Sequence, residues 1–240
     1  MADSCGSSSD GLDDFLRRDH VMTEQVASTA PDCTSLPTEL VDLIHRMAMV
    51  EKGVSSDKSV SWHAHREAEK LTDVSVMAGL KAFMETSGSK DIRRAIYFVL
   101  GALGHNMKNE HCSEVLLRQV TAVQDKYELA ALLDSIAKVP MLPGASLEPI
   151  FHLLADKRWL VRHSAIGALV NSYGDVVEDH LLAHLALTED PFDKIYCHAT
   201  LNKMGTARSI PLLTEGLKSR KRDVKASARA AIDAIQARNK

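Results

Sequence analysis

His180 and His184 lie four residues apart in EDHLLAHLAL, the spacing that sets two imidazoles one turn apart on the same face of a helix, as two metal ligands must be. Leu181, not Glu, follows His180, so the HExxH arrangement of a zinc protease does not form. His63 and His65 are two apart and face different sides of a helix; each has a Glu four residues on (Glu67, Glu69), which suits surface pairs. Cys112 follows His111, but no basic, activating surroundings accompany it. Trp159 sits among Lys157, Arg158, Arg162 and His163, an aromatic surrounded by cations, and at the start of a helix it reads as packing between neighbouring repeats. The chain contains no Gly-rich phosphate loop and no nucleophile elbow. These spacings lead us to expect no catalytic residue, no metal site and no cofactor.

The elements that must position these residues are helices. Residues 156–188 read as an amphipathic pair: Leu160, Val161, Ala165, Ala168 and Leu169 recur at steps of three and four, Gly174 follows where a helix would end in a left-handed residue, and Val177, Leu181, Leu182 and Leu185 form a second stripe. Such a pair leaves apolar side chains for further neighbours, so it needs copies of itself on either side. Ile92, Tyr127, Val161, Ile195 and Val224 stand at equivalent places near the starts of successive first helices, at steps of 35, 34, 34 and 29 residues. An acid precedes most of them, at Asp91, Asp125, Asp156, Asp190 and Asp223. Sliding by one repeat puts Ile150 where His184 stands, which makes His184 a half-buried packing position. No run of alternating β-branched residues predicts a strand.

The remaining helices follow from their stops and caps. Leu40 to Val50 continues to Gly53, 60–71 and 74–86 make a pair, and Ile92 to Leu103 is closed by Gly104. Ser146 and Ser209 read as N-caps, as does Asp190 with Pro191 at the first helical position. Residues 1–35 differ: seven acids against Arg17 and Arg18, rich in Ser, Gly and Pro, predict an acidic, largely disordered N-terminal tail with one short amphipathic helix around Leu12, Phe15 and Leu16. The ordered body is expected over 36–240.

DKRWLVRHSAIGAL, KDIRRAIYFVLGALG and RDVKASARAAIDAI resemble the HEAT-repeat family, in its short lyase-like form, over roughly residues 74–238. The resemblance implies an all-α, right-handed α-solenoid of stacked antiparallel helix pairs and a scaffold or adaptor that binds another protein through its concave face. Second helices line that face in related proteins, which implies partner contacts from Glu114, Arg118, Glu148, His152, Glu178, His180 and Lys218. The family's Asp and Arg often bond between repeats; Arg162 matches and Arg93 and Lys225 approximate it, whereas Glu128 and Tyr196 break the pattern. The His-Glu dipeptides of HEAT-like deoxyhypusine hydroxylases are absent. A HEAT-like DNA-binding protein or alkylpurine DNA glycosylase is the alternative, with Trp159 as its weak echo, but the Trp-Asp-x-Val-Asp cluster is missing. The signatures of tetratricopeptide and ankyrin repeats are missing too.

Composition agrees with a helical core: 240 residues, 45% hydrophobic but only 5% aromatic, so Leu, Ala, Val and Ile must fill it. A net charge of −3 gives the whole molecule no general pull toward nucleic acid or anionic membrane, and no apolar run is long enough to span one. Cys5, Cys33, Cys112 and Cys197 lie far apart, as free thiols of a cytoplasmic protein would. Charge is nonetheless polarised. Residues 216–240 carry eight cations against Asp223 and Asp233, and Arg220, Lys221, Arg222 and Lys225 form a basic patch on a terminal cap. Such a patch suits an acidic partner, RNA or the acidic tail.

Overall fold

The computed structural model describes residues 36–239, and the expectation for the tail lies outside them. The order is α1 (Thr38–Met47), α2 (Val60–Ala68), α3 (Met77–Thr86), α4 (Lys90–Met107), α5 (His111–Leu117), α6 (Lys126–Ile136), α7 (Glu148–Leu153), α8 (Trp159–Ala168), α9 (Asp175–Leu187), α10 (Pro191–Met204), α11 (Ile210–Gly216) and α12 (Arg222–Arg238). No strand occurs among the described residues, and no helix is long and apolar enough to cross a membrane.

The first helices α4, α6, α8, α10 and α12 pack each on the next as a continuous layer. Their apolar stripes make the core: Ile96 and Leu100 on α4, Leu132 and Ile136 on α6 and Ile166 on α8 are fully buried. The second helices cover the other side of that layer; α5, α7 and α11 have only 7, 6 and 7 residues and touch one another sparsely. This is an α-solenoid.

Capping follows the acids only in part. Asp125 accepts the N–H groups of Tyr127 and Glu128, and Asp190 accepts that of Phe192 ahead of Pro191. Ser146 caps nothing, since Leu147 precedes α7, and the Ser209 hydroxyl bonds to Glu178 instead of to its own helix. Gly104 does not end α4, which continues to Met107 and closes at Lys108 in the left-handed region. Its lack of a side chain serves packing: a Cβ there would come within 2.3 Å of Val139 Cγ1. Gly174 has φ 111° and ψ 157°, an extended left-sided conformation that starts α9 rather than ending α8.

Polar ties cross every joint of the first-helix layer, in three chemistries. Arg93 of α4 grips Glu128 of α6 with Nε–Oε1 2.6 Å and Nη2–Oε2 2.9 Å, and Arg162 of α8 reaches Asp193 and Asp190 at α10 at 2.9 and 3.1 Å. Between α6 and α8 the donors meet carbonyls: Arg158 bonds to Gln124 O, and Asn171 bonds to Ala137 O and Val139 O. Between α10 and α12, His198 meets Ser227 and Asn202 bonds to Ala230 O. Glu128 thus does not interrupt the ladder; it accepts the arginine of the preceding repeat. N-terminal ends tie to N-terminal ends and C-terminal to C-terminal, so the first helices run parallel.

Candidate functional site

The residues expected to meet a partner fall mostly outward on the second helices, but they are engaged with one another. His152 lies 3.3 Å from Glu148, Lys218 2.8 Å from Glu215, and Arg118 pairs with Glu114 on its own helix. Exposed pairs of this kind contribute little to stability and are easily solvated. His180 is half-buried, stacked on Phe151 with centroids 3.9 Å apart. The expectation for Glu178 is wrong. It is 1% exposed and holds the following repeat: Oε1 accepts the Thr206 N–H at 2.8 Å and the Ser209 hydroxyl, while Oε2 accepts the Thr206 hydroxyl at 2.9 Å. Burial alone would raise its pKa; the Ser209 and Thr206 donors outweigh burial and hold it below the ordinary carboxylate range.

The layer of first helices carries what the sequence reading missed. Tyr127, Trp159 and Phe192 occupy the first turn of α6, α8 and α10 and are 55%, 61% and 62% exposed. Trp159 is therefore not buried between repeats, although its ring stands 5.4 Å from His163 of its own helix. Tyr196 joins the group by stacking on His163, with centroids 4.4 Å apart. The first helices are parallel and about 8–10 Å apart, so these aromatics form a row along one edge. The signal was in the sequence, as an aromatic just after each capping segment, but only the parallel stack aligns them.

Cations share that edge. Lys126 lies 4.8 Å from the Tyr127 ring centroid, Lys157 and Arg158 precede Trp159, and the patch of Arg220, Lys221, Arg222 and Lys225 opens α12. All four patch residues are exposed. Cations at helix N-termini oppose the helix dipole, typically by about 0.3–1 kcal/mol each, and the neighbouring acids offset this.

Further along the same layer, α1, α2, α4 and α6 enclose an open cleft of about 470 Å³. Phe98 forms part of its wall, with His65 edge-on at 4.8 Å and Lys138 Nζ 4.1 Å from the ring centroid. Desolvation by the cleft walls raises the pKa of Asp134 and lowers that of Lys138, although both side chains reach solvent at the rim.

Beneath the aromatic row lies a buried polar knot. Asp193 is 2% exposed; Oδ2 accepts Arg162 Nε at 2.9 Å and the Thr188 hydroxyl at 3.1 Å, and the two oxygens face His163 Nε2 at 2.9 Å and His184 Nε2 at 3.3 Å. Burial pushes the Asp193 pKa up, but Arg162 outweighs it and the net direction is down. Burial lowers the pKa of His184. His184 is half-buried as its repeat position predicts; it turns to Asp193, while His180 turns to Phe151, so the two do not converge. Cys112 and Cys197 are free and buried, and burial raises both thiols, Cys112 to about 11, so neither is an activated nucleophile.

No family model matches the chain, and no curated protein matches it in sequence. Among solved structures it is similar to an engineered protein from the Northeast Structural Genomics Consortium, at 17% identity and TM-score 0.51, covering 84% of this chain and 98% of that one. A designed armadillo repeat protein aligns at 14% identity and TM-score 0.46, over 81% of this chain and 98% of that one. A second engineered protein from the same consortium aligns at 20% identity and TM-score 0.47, over 85% and 62%. At such identities the likeness is one of fold: a helical repeat solenoid, without singling out the HEAT family.

Proposed function

We propose that the chain is a non-catalytic scaffold that holds another protein on its layer of first helices, with the Tyr127–Trp159–Phe192 edge as the anchor. The observation that carries this is three large aromatics, one per repeat, left exposed on parallel helices. Exposed Trp and Tyr are the residues that dominate binding energy at protein interfaces, and the cations beside them favour an acid-rich partner segment. The glycosylase reading has less support, because it needs an acid facing the aromatics from solvent. Asp193, beneath His163 and Tyr196, is buried behind Arg162, and Asp125 and Asp190 are engaged as helix caps.

The test uses immobilised full chain, wild type against a Tyr127→Ser/Trp159→Ser/Phe192→Ser variant, in nuclease-treated native extract. A protein retained by the wild type and lost from the folded variant supports the scaffold. Equal retention by both overturns it, as would release of alkylated bases from DNA by the purified wild type.

A further inference from the structure

Four buried side-chain atoms among the described residues lack a hydrogen-bond partner, and three of them belong to the knot around Asp193: His163 Nε2, His184 Nε2 and Asp193 Oδ1. Leaving a buried polar group unpaired costs about 1–3 kcal/mol, so three in one knot call for an explanation. Distance is not the obstacle, since His163 Nε2 lies 2.9 Å from Asp193 Oδ1 and His184 Nε2 lies 3.3 Å from Oδ2. Both contacts are close enough for ion pairs, yet neither has the geometry of a hydrogen bond. Ligand atoms around a common ion also lie this close without bonding to one another.

We propose that His163, His184, Asp190 and Asp193 form a structural site for a divalent transition ion of the zinc class. One ligand atom each from His163, Asp190 and Asp193 already lies within 4.8 Å of the other two. Tetrahedral zinc with bonds of about 2.0–2.1 Å sets its ligand atoms about 3.3 Å apart; the His184–Asp193 distance equals that value and the His163–Asp193 distance, 2.9 Å, falls somewhat short of it. His184 stands outside that triplet, its Nε2 3.3 Å from Asp193 Oδ2, and rotates in from α9 to supply the fourth ligand. Imidazole with carboxylate is a donor set that suits zinc better than magnesium or calcium, which take oxygen alone.

The surroundings fit a closed site. Arg162 donates to Asp193 Oδ2 and to Asp190 Oδ2 at 2.9 and 3.1 Å, and the Thr188 hydroxyl donates to Asp193. Such outer donors orient ligating carboxylates and offset their charge. Asp193 Oδ1 is left free of them. Tyr196 stacks on the His163 ring, interplanar angle 16°, and closes the site toward solvent on that side. The ligands come from α8, α9 and the start of α10, so the ion joins two successive repeats. The site lies directly beneath the aromatic row, with Trp159 5.4 Å from the His163 ring, but metal binding does not require the partner reading to hold.

The test titrates metal-free full chain with zinc chloride and, separately, with cobalt(II) chloride, because tetrahedral cobalt bound by imidazole and carboxylate absorbs visibly and cobalt on surface histidines does not. We expect one tight equivalent of zinc, a cobalt spectrum of the tetrahedral type and a higher melting temperature, all reversed by chelator. His163→Gln and His184→Gln, each confirmed folded by circular dichroism, should weaken that equivalent at least tenfold, whereas His180→Gln should leave it unchanged. Absence of the tight equivalent in the wild type overturns the proposal. So does undiminished binding in both of the folded variants, or a cobalt spectrum of the octahedral, solvent-exposed kind.

Discussion

Arg93 and Glu128, 35 residues apart in the chain, meet with both guanidinium donors on both carboxylate oxygens, and Tyr97 adds its hydroxyl to the same carboxylate at 3.1 Å. The two sides of the pair are unequally hidden: the Glu128 side chain is 4% exposed and that of Arg93 26%. Removing the arginine strands a buried charge, while removing the glutamate leaves a cation that can rehydrate. Arg93→Ala should therefore cost about 3–5 kcal/mol and Glu128→Ala about 1–3 kcal/mol. Chemical denaturation of both variants and of the double mutant measures the asymmetry; equal costs would contradict it.

Glu178 and Glu148 were alike in the sequence and are opposites in the structure. Glu178→Ala leaves the Thr206 N–H and the Ser209 hydroxyl unpaired and should destabilise by about 2–4 kcal/mol. Glu148→Lys together with His152→Lys breaks only an exposed pair and should shift the melting curve within about 0.5 kcal/mol. Thermal melts of the two variants side by side separate them.

His198 is buried, contacts Ser227 at 2.9 Å, and is held neutral by burial, its pKa lowered to about 4. The unfolded chain takes up that proton near pH 6.5 while the folded chain resists until about 4. The stability it contributes is thus complete above the unfolded pKa and lost as pH falls between those values, by on the order of 3 kcal/mol. His198→Gln should flatten the fall in melting temperature across that window, and an unchanged slope would refute the assignment.

Gly104→Ala tests the close approach of α4 to Val139. A helix interior ordinarily gains about 1 kcal/mol from Ala over Gly, but the new methyl would lie 2.3 Å from Val139 Cγ1. Overpacking of that sort costs about 1–3 kcal/mol, so the variant should melt lower than the wild type. Gly167→Ala, with open space around its Cβ position, should melt at or above it.

Replacing Arg220, Lys221 and Arg222 with Ser should leave the melting temperature unchanged, since all three are exposed and, among the described residues, Arg222 meets only Asp223, at 3.8 Å. It should also weaken capture of an acid-rich partner most at low salt, where unscreened charges act over longer distances. Capture measured across an ionic-strength series is the check.

The helices were legible because apolar spacing is a local property: Ile92, Ile96 and Leu100 announce α4 without help from the rest of the chain. Asp125 and Asp190 were legible as caps for the same reason. What the sequence concealed depends on neighbours on other helices, most of them about 30 residues away. Glu128 broke the expected pattern because its meaning lies in Arg93, and Glu178 looked exposed because its donors, Thr206 and Ser209, belong to the next repeat. His184 paired by spacing with His180, yet packing turned it to Asp193 on another helix. Gly104 signalled a helix end by type, while the constraint it answers is the side chain of Val139.

The chain has two tryptophans, Trp62 and Trp159, and both lie on the outside, 40% and 61% exposed. Their emission in the folded protein should lie toward that of indole in water, so unfolding should shift its colour less than for buried tryptophans. Intrinsic fluorescence is a poor thermometer for this solenoid. It is a good optical probe of Trp159 instead, because any partner that covers that ring withdraws it from water and moves the emission to the blue.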